Sequence, residues 1–448
     1  MPPDPEAFLR PLERQGMRLE LAPMRRLLAA LGDPQRHLPA VLVAGTNGKG
    51  STAALLAAMA GAAGYRVGLY TSPHLEAVEE RIRVDGRAIA AGELAALLAE
   101  VLGAAGAVPT YFEALTAAAF LHFRRLGLEL AVVEVGLGGR LDATNTADPV
   151  LSLVTDLSLE HGEILGRTVA EIAREKAGIF RRGRPALAGA LGPHAAGAVR
   201  AAAGAAGVPL VFVEDLVRVG AVEARGWEGQ RVELSTAAGR LAIELSLLGE
   251  HQARNAALAA AAAVVLAERG WERLGPEAVA AGARRCRWPG RLEPVLLPGG
   301  KRVLLDAAHN PGGVASLLGF LTGPTAGVEA PPWDLLFGAL DDKEVVRMLP
   351  PLAARAAAVT LTAPESPRAL DPASLADLLP ALDAAGGAEP PPAGIVGDPG
   401  AALATALAGP SPLLVVCGSI VLVGGVRSRL RRRFGVPAAA RETEVWER

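Results

Sequence analysis

A glycine-rich octapeptide follows a short apolar run near the start of the chain. Residues 41–44 read Val-Leu-Val-Ala, and residues 45–52 then read Gly-Thr-Asn-Gly-Lys-Gly-Ser-Thr. The alanine-rich stretch at residues 51–64 predicts a helix. A strand, a glycine loop and a helix in this order form a parallel α/β unit whose loop amides gather at the helix N-terminus. The octapeptide therefore predicts a phosphate-binding loop at the edge of a parallel sheet.

This loop also carries the side chains that nucleotide chemistry needs. Its glycines let successive N–H groups face phosphate oxygens, Lys49 would neutralise β- and γ-phosphate charge, and Ser51 would offer its hydroxyl to Mg²⁺. The pattern is a shortened variant of GxxxxGK[ST], with an extra glycine between lysine and serine. A plain glycine-rich turn is the alternative. The residues predicted to bind ATP in the loop are Gly45, Thr46, Asn47, Gly48, Lys49, Gly50, Ser51 and Thr52.

Lysine and asparagine are both rare in this chain, and both occur in the loop. Lysine stands at four positions, Lys49, Lys176, Lys301 and Lys343. Asparagine also stands at four, Asn47, Asn145, Asn255 and Asn310. The amine of lysine can be neutralised or modified, whereas arginine stays charged. These positions therefore mark candidate chemistry, although a surface charge explains Lys301 equally well.

Composition excludes several classes of protein. The formal net charge of −2 gives no overall positive field for nucleic acid. The longest apolar stretch, residues 256–267, is shorter than the ~20 residues of a membrane span. Cys286 and Cys417 lack metal-site spacing, and the N-terminus shows no signal-peptide pattern. We expect a cytoplasmic protein that binds neither nucleic acid nor a membrane.

Two α/β series divide the chain. With 448 residues, two or three domains are expected. Short apolar runs alternate with long helical stretches, which favours an α/β fold with mostly parallel strands. The first series has predicted strands at residues 41–44, 66–70, 130–135 and 151–155. The second has predicted strands at residues 302–305, 335–338, 358–361 and 413–417. We predict domains of residues 1–294 and 295–448.

The loop sequence at residues 45–51 resembles the P-loop of the folylpolyglutamate synthase and dihydrofolate synthase family, which is related to the Mur ligases. Mur peptide ligases carry threonine at the position of Gly50, and the 44 residues before the loop leave no room for their front domain. Further segments that match the family are residues 71–75, 112–116, 134–145, 160–166, 175–179, 251–255, 289–293, 306–311, 418–419 and 424–427. The resemblance implies a three-layer P-loop ATPase domain that binds ATP and folate or pteroate. It also implies a smaller Rossmann-like C-terminal domain that binds glutamate, with the active site in the cleft between them.

Two residues are candidates for the metal site besides Ser51. Glu134 ends the apolar run at residues 130–133, and ligand sites of α/β sheets gather at the carboxyl ends of strands. Its carboxylate, the Ser51 hydroxyl and the γ-phosphate form an oxygen set suited to Mg²⁺. A surface glutamate after a strand is the alternative. By resemblance His161 is also a metal ligand, although on chemistry alone it is as readily a hydrogen-bonded core histidine.

Lys176 falls on the apolar face of a predicted helix. That helix begins with Thr168 and Glu171 at capping-box spacing, and its apolar stripe includes Ile172 and Ala173. A buried lysine loses its preference for charge, and a neutral amine reacts with CO₂ to give an anionic carbamate. The resemblance implies that Lys176 is carbamylated and supports a second Mg²⁺. A lysine that reaches along the helix to solvent is the alternative.

The remaining site residues rest on the resemblance. Ser72, Pro73 and His74 are predicted at the pterin end of the acceptor site. Asn255 and Arg291 are predicted to hold the adenine side and the phosphates of ATP. Asp306 and His309 would close the site over ATP and the incoming glutamate, and Lys343 and Ser419 would contact glutamate. Lys49, Lys176 and His309 are predicted to be catalytic. A polar helix start for Asn255, an ordinary loop position for His74 and solvated loop positions for the second-domain residues are the alternatives.

These parts predict an ATP- and Mg²⁺-dependent amide ligase. It would add L-glutamate to dihydropteroate, to (tetrahydro)folate polyglutamates or to both, through an acyl phosphate. We expect a monomer. A Mur-type ligase acting on another carboxylate and a P-loop NTPase that serves as a switch or interaction module are the alternative interpretations.

Overall fold

The strand before the glycine loop lies inside the larger of the two main sheets. The structure is a computed structural model that describes residues 4–158, 162–237, 239–323, 331–379, 391–435 and 445–446. Strand β1, Ala40–Ala44, pairs in parallel with β5, Leu130–Glu134, and with β6, Pro149–Val154. Every residue of β1 and β5 is buried, as is usual for parallel strands covered on both faces.

Within the described residues this sheet has eight strands. The others are β2 Val67–Tyr70, β3 Ile82–Val84, β4 Arg87–Ala88, β7 Ala186–Ala188 and β8 Leu210–Phe212. Their order is β4-β3-β2-β5-β1-β6-β7-β8. The pairings are parallel except at the β3 and β4 edge. The carboxyl ends of β1, β2, β5 and β6 therefore meet at one edge, where the glycine loop begins.

Helices cover both faces of this sheet. They are α1 Pro5–Leu9, α2 Leu21–Ala30, α3 Lys49–Ala62, α4 Ala91–Ala104, α5 Tyr111–Leu126, α6 Gly162–Leu165, α7 Val169–Ala177, α8 Pro193–Ala206, α9 Val213–Leu216, α10 Glu250–Ala267 and α11 Pro276–Arg285. Val41 and Val43 face the core under α3, α10 and α11, whereas Leu42 and Ala44 face the core under α4, α5, α7 and α8. This alternation along β1 produces the three layers that the resemblance predicted.

A small antiparallel sheet extends the first domain. It consists of β9 Val217–Ala224, β10 Gln230–Thr236 and β11 Gly239–Leu245, with β10 in the centre. Val232, Leu234, Ile243 and Leu245 join the same core as α3 and α10. These strands were not predicted from the sequence.

A second α/β sheet follows. Its strands among the described residues are β12 Glu293–Leu296, β13 Arg302–Leu305, β14 Trp333–Phe337, β15 Ala358–Leu361, β16 Ala393–Ile395 and β17 Leu413–Cys417. Their order is β12-β13-β17-β14-β15-β16, and only β12 runs antiparallel to its neighbour. The flanking helices are α12 Pro311–Thr322, α13 Val345–Ala353, α14 Pro372–Ala376, α15 Pro399–Leu407 and α16 Ile420–Phe434. Apolar clusters cover both faces of this sheet, and the predicted α/β fold class is confirmed.

The last described residues of the chain, Val445 and Trp446, pack back onto the first domain. The second sheet begins at Glu293, close to the predicted boundary at residue 294. Val445 and Trp446 follow this sheet in sequence. The N–H of Val445 donates to the Gly86 carbonyl at 2.7 Å, and its carbonyl accepts from the Arg287 N–H at 2.7 Å. Trp446 is 2% exposed and lies against Gly61 of α3, where a Cβ would overlap the indole.

One of the rare lysines has a structural role. The Lys301 ammonium donates to the carbonyls of Ala406, Leu407 and Gly409 at 3.4, 3.0 and 2.8 Å. These carbonyls are at the end of α15, where the last helical carbonyls lack partners within the helix. A compact ammonium with three donors suits this position better than a planar guanidinium. Lys301 is thus neither a surface charge nor part of the phosphate loop.

None of the described helices is both long and apolar enough to cross a bilayer.

Candidate active site

The glycine loop is fixed against the segment that follows β6. The Thr46 N–H donates to the Asp156 carbonyl at 2.7 Å, and the Thr155 hydroxyl donates to the Asn47 carbonyl at 2.7 Å. Gly48 has a φ of 82°, and an added Cβ there would lie 2.5 Å from Oδ1 of Asn255. Glycine is therefore required where the loop turns into α3. The loop amides gather at the N-terminus of this helix, which is an electrostatically favourable position for an anion.

Side chains of α3 and α10 meet at Ser51. Ser51 is 3% exposed, and Gln252 Nε2 donates to its hydroxyl at 3.3 Å. Asn255 Nδ2 donates to Gln252 Oε1 at 3.0 Å, so the predicted adenine-side asparagine is linked to the predicted metal ligand. Lys49 Nζ donates to the Thr46 carbonyl at 2.9 Å and thus folds over its own loop. Gln252 was not predicted as a site residue, although its spacing from Asn255 puts both side chains on one face of a helix.

Glu134 ends β5 beside the loop, as the sequence predicted. Its carboxylate is buried, and Oε2 accepts from the Ser72 N–H at 3.0 Å. Burial raises the pKa of Glu134, and the positive charge of Lys49 and the Ser72 hydrogen bond oppose that rise. A Cβ added at Gly50 would be 3.4 Å from Glu134 Oε2, so the carboxylate lies next to the start of α3.

This donor set fits magnesium. The described residues contain no group of three or more His, Cys, Asp or Glu side chains able to hold a metal. Ser51 and Glu134 would supply two oxygens, and Mg²⁺ characteristically takes few protein ligands, keeping waters and phosphate oxygens instead. The predicted third ligand, His161, lies outside the described residues.

Lys176 lies inside the domain, against the first residue of the glycine loop. It is 4% exposed on α7, and its Nζ donates to the Gly45 carbonyl at 2.6 Å. Thr168 caps this helix by accepting from the Glu171 N–H at 3.2 Å, as the capping-box spacing predicted. The lysine therefore does not extend along the helix to solvent.

The loop after β2, residues 72–77, adjoins Glu134. Its amides at Leu75, Glu76 and Ala77 donate to the carboxylate of Glu80 at 2.9 to 3.0 Å. Arg81 Nε donates to His74 Nδ1 at 3.0 Å. Burial and the charge of Arg81 lower the pKa of His74 to about 4, so this imidazole is neutral at neutral pH.

Residues of the second domain approach the loop from the other side. Asn310 Nδ2 donates to Asn47 Oδ1 at 3.0 Å, a contact between two of the four asparagines. Asp306 is 7% exposed, accepts from the amides of Leu292 and Ala308 at 2.8 and 2.9 Å, and thereby fixes the backbone beside Arg291. Burial raises the pKa of Asp306, and the charge of Arg291 opposes the rise. His309 Nδ1 is 2.8 Å from the Ala307 carbonyl, which leaves Nε2 as the outer ring nitrogen.

Two predicted glutamate contacts have local partners. The Ser419 hydroxyl accepts from the Val421 N–H at 3.2 Å and caps α16. Lys343 forms an ion pair with Asp342 at 2.9 Å. Their roles toward glutamate stay predictions. Asn310 was not predicted as a site residue, although its rarity was a usable signal.

His251, next to Gln252, gives a pH prediction. Burial, Arg254 and Arg291 lower its pKa to about 4. Below pH ~6.5 the unfolded histidine binds a proton that the folded one does not, so the folded state loses stability as pH falls from about 6.5 to 4. We expect His251 to lower the folding equilibrium constant by up to about tenfold for each pH unit in this range. His251→Gln should abolish this contribution to the pH dependence. Urea unfolding of both proteins from neutral to mildly acidic pH measures the difference, and identical pH slopes would contradict the prediction.

Comparison with known proteins identifies the family. Residues 43–263 match the Mur ligase middle domain, and residues 290–420 match the Mur ligase glutamate ligase domain. The dihydrofolate synthase/folylpolyglutamate synthase of Bacillus subtilis is 33% identical over 425 residues, which cover 93% of this chain and 96% of that protein. The chain belongs to the folylpolyglutamate synthase and dihydrofolate synthase family. The family predicted from the P-loop and the ordered segments is confirmed.

Other members of the folylpolyglutamate synthase and dihydrofolate synthase family extend the comparison. A probable bifunctional folylpolyglutamate synthase/dihydropteroate synthase of Haloferax volcanii is 38% identical over 444 residues, and the chain spans only 50% of its length. The solved structure of Escherichia coli FolC in complex with DHPP and ADP superposes with a TM-score of 0.83 at 30% identity. That comparison covers 96% of this chain and 98% of the E. coli chain.

Proposed function

We propose that this chain is an ATP-dependent amide ligase that adds L-glutamate to dihydropteroate, to (tetrahydro)folate polyglutamates or to both. One observation carries the proposal. Glu134 and Lys176 lie against the loop that carries Lys49 and Ser51, and Asn310 of the second domain contacts that loop as well. A nucleotide bound there would have the cleft between the two domains open beside its terminal phosphate.

The chemistry follows from the poor leaving group of a carboxylate. Transfer of the γ-phosphoryl group of ATP to the acceptor carboxylate forms an acyl phosphate and releases ADP. The loop amides and Lys49 would stabilise the negative charge that spreads over the phosphoryl oxygens. The neutral amine of glutamate then attacks the carbonyl carbon, phosphate leaves, and the amine proton passes to solvent or a base. Magnesium held by Ser51 and Glu134 would supply positive charge beside the same oxygens.

The second domain would close the site over the intermediate. The Asn310–Asn47 contact joins it to the phosphate loop, and Asp306 holds the backbone beside Arg291. A planar guanidinium suits a bidentate contact with phosphate. An acyl phosphate is lost if water reaches it, so exclusion of water between the domains is useful for the reaction. In this arrangement His309 and Ser419 lie toward glutamate.

We further propose that Lys176 carries a carbamate in the active enzyme. Its neutral amine would add CO₂ and release a proton, which creates an anionic oxygen ligand for a second Mg²⁺. The 4% exposure of Lys176 and its position at Gly45 support this role, because burial disfavours the ammonium form.

The acceptor would lie along residues 72–77. E. coli FolC, which is similar over nearly the whole chain, has been solved with DHPP and ADP. The Ser72 amide contacts Glu134 and thereby joins this segment to the proposed magnesium site, while the neutral His74, held by Arg81, would face the pterin end of the acceptor. The monomeric state and the cytoplasmic location remain predictions.

Measurement of ADP release tests this function. We expect ADP release that requires both L-glutamate and a pteroate or folate acceptor, and a product heavier by one glutamyl residue in mass spectra. Comparison of dihydropteroate with tetrahydrofolate separates addition of the first glutamate from addition of later ones. ADP release that ignores these substrates would favour an NTPase switch, and use of a different carboxylate would favour another Mur-type ligase.

A further inference from the structure

Arg427 lies where three segments of the chain meet. It belongs to α16, the last helix among the described residues of the second domain, and its side chain is only 9% exposed. Its Nε donates to both carboxylate oxygens of Glu293, at 2.9 and 3.0 Å. Its Nη1 donates to the carboxylate of Glu76. One guanidinium therefore joins the carboxylates of Glu76 and Glu293, which are 217 residues apart in sequence.

Each carboxylate belongs to a segment that borders the active site. Glu76 is in the loop of residues 72–77, whose first amide, from Ser72, donates to Glu134. Glu293 accepts from the Gly290 N–H at 2.9 Å and so fixes the turn that precedes Arg291. Arg427 thus contacts the proposed acceptor loop and the proposed phosphate clamp at the same time.

The backbones at this junction are also tightly packed. A Cβ added at Gly424, one turn before Arg427, would overlap the Leu75 carbonyl. A Cβ at Gly290 would be 3.1 Å from the Leu75 side chain. Arg431 adds a second ion pair to Glu76 at 3.0 Å. A shift of α16 would therefore be transmitted to both segments, because no gap is available to absorb it.

We propose that Arg427 is a positioning residue that couples the acceptor loop and the Arg291 turn to the C-terminal domain, so that acceptor and nucleotide are bound in register. Only the expected changes in acceptor KM rest on the proposed ligase function, because ADP affinity and hydrogen exchange can be measured without catalysis. Arg427 would contact neither the nucleotide nor the acceptor and would act through Glu76 and Glu293. Lysine would substitute only in part. It keeps the positive charge, but its single ammonium lacks the planar guanidinium that holds two carboxylates at once.

Four substitutions test the two ion pairs of Arg427 separately and together. We expect Glu76→Gln to raise KM for the acceptor with little change in nucleotide affinity, and Glu293→Gln to weaken nucleotide binding more than acceptor binding. Arg427→Gln should do both, by roughly tenfold each, a magnitude usual for coupling between sites. Arg427→Lys should recover part of each loss.

Arg429→Gln is the matched control. Arg429 is on the same helix and forms an ion pair at 2.6 Å, but its partner, Glu365, belongs to the same domain. Titration calorimetry with ADP and hydrogen exchange of residues 72–80 and 287–293 provide readouts that need no catalysis. We expect faster exchange in both segments for Arg427→Gln and no change for Arg429→Gln.

The outcomes distinguish failure of the proposed ligase function from failure of the proposed positioning role of Arg427. If the wild-type protein shows no glutamate-dependent ADP release, the ligase function fails, and exchange and ADP affinity still decide the role of Arg427. If the wild-type protein is an active ligase and Arg427→Gln matches Arg429→Gln in acceptor KM, ADP affinity and exchange, the positioning role is wrong.

Discussion

Replacement of Lys49 by alanine is expected to lower kcat by about 10²–10³-fold, the usual effect of removing one preorganised charge from a transition state. Lys49 is the lysine of the phosphate loop, and its Nζ now rests on the Thr46 carbonyl at 2.9 Å. That contact is within its own loop, so the ammonium can turn to the terminal phosphates without disturbing the sheet. Steady-state ADP release with saturating glutamate and acceptor measures the loss.

The effect should be one of charge and geometry, not of folding. Lys49→Arg keeps the charge but replaces a compact ammonium with a longer planar group, and we expect it to recover only a small part of the activity. The unfolding free energy of Lys49→Ala should stay within about 0.5 kcal/mol of wild type, as for most substitutions outside the core. Wild-type kcat in Lys49→Ala would remove the phosphate loop from the mechanism.

Loss of Lys176 is expected to be almost as severe, with kcat reduced by about two orders of magnitude, at the upper end of what residues around a metal contribute. Lys176→Ala removes the proposed anionic ligand and also the hydrogen bond to the Gly45 carbonyl. Added acetate or formate should restore part of the activity, because a small carboxylate can occupy the space of the carbamate. Activity of the wild-type protein should also rise with added bicarbonate after CO₂ has been removed.

A spectroscopic measurement separates the carbamate from a plain ammonium. Wild-type protein equilibrated with ¹³C-bicarbonate should show a carbamate carbon resonance that is absent from Lys176→Ala. Lys49→Ala serves as the matched control, because it removes the other lysine of the site and should retain the resonance. A wild-type protein without this signal, indifferent to CO₂ and with no rescue by acetate, would show that Lys176 acts as an unmodified amine.

The sequence was informative wherever a function depends on local order along the chain. The loop at residues 45–52, the strand that ends at Glu134 and the inward face of Lys176 each follow from a short pattern and were predicted. The helix predicted at residues 51–64 is Lys49–Ala62 in the structure, a shift of two residues at both ends. Boundaries of this kind depend on capping geometry that the pattern only approximates.

Features that depend on pairing of distant residues were missed. The strand Val217–Ala224 is mostly exposed and has no clear alternation, whereas the strands Gln230–Thr236 and Gly239–Leu245 alternate buried and more exposed residues, a signal that was overlooked. The Asn310–Asn47 contact joins residues 263 apart, and the Arg427–Glu76 contact joins residues 351 apart. No local period encodes such contacts. The scarcity of lysine was a sound guide at Lys49, whereas at Lys301 it marked a helix terminus instead of a reaction.

The position of Trp446 has a consequence for biosynthesis. Its indole fills a slot on α3, the helix that carries the phosphate loop, yet its codon is read only after the entire second sheet has been translated. Domains generally fold in order as they leave the ribosome. Here the N-terminal part must wait with an open apolar slot until residue 446 arrives. The core of the first domain is therefore complete only after both domains have been synthesised.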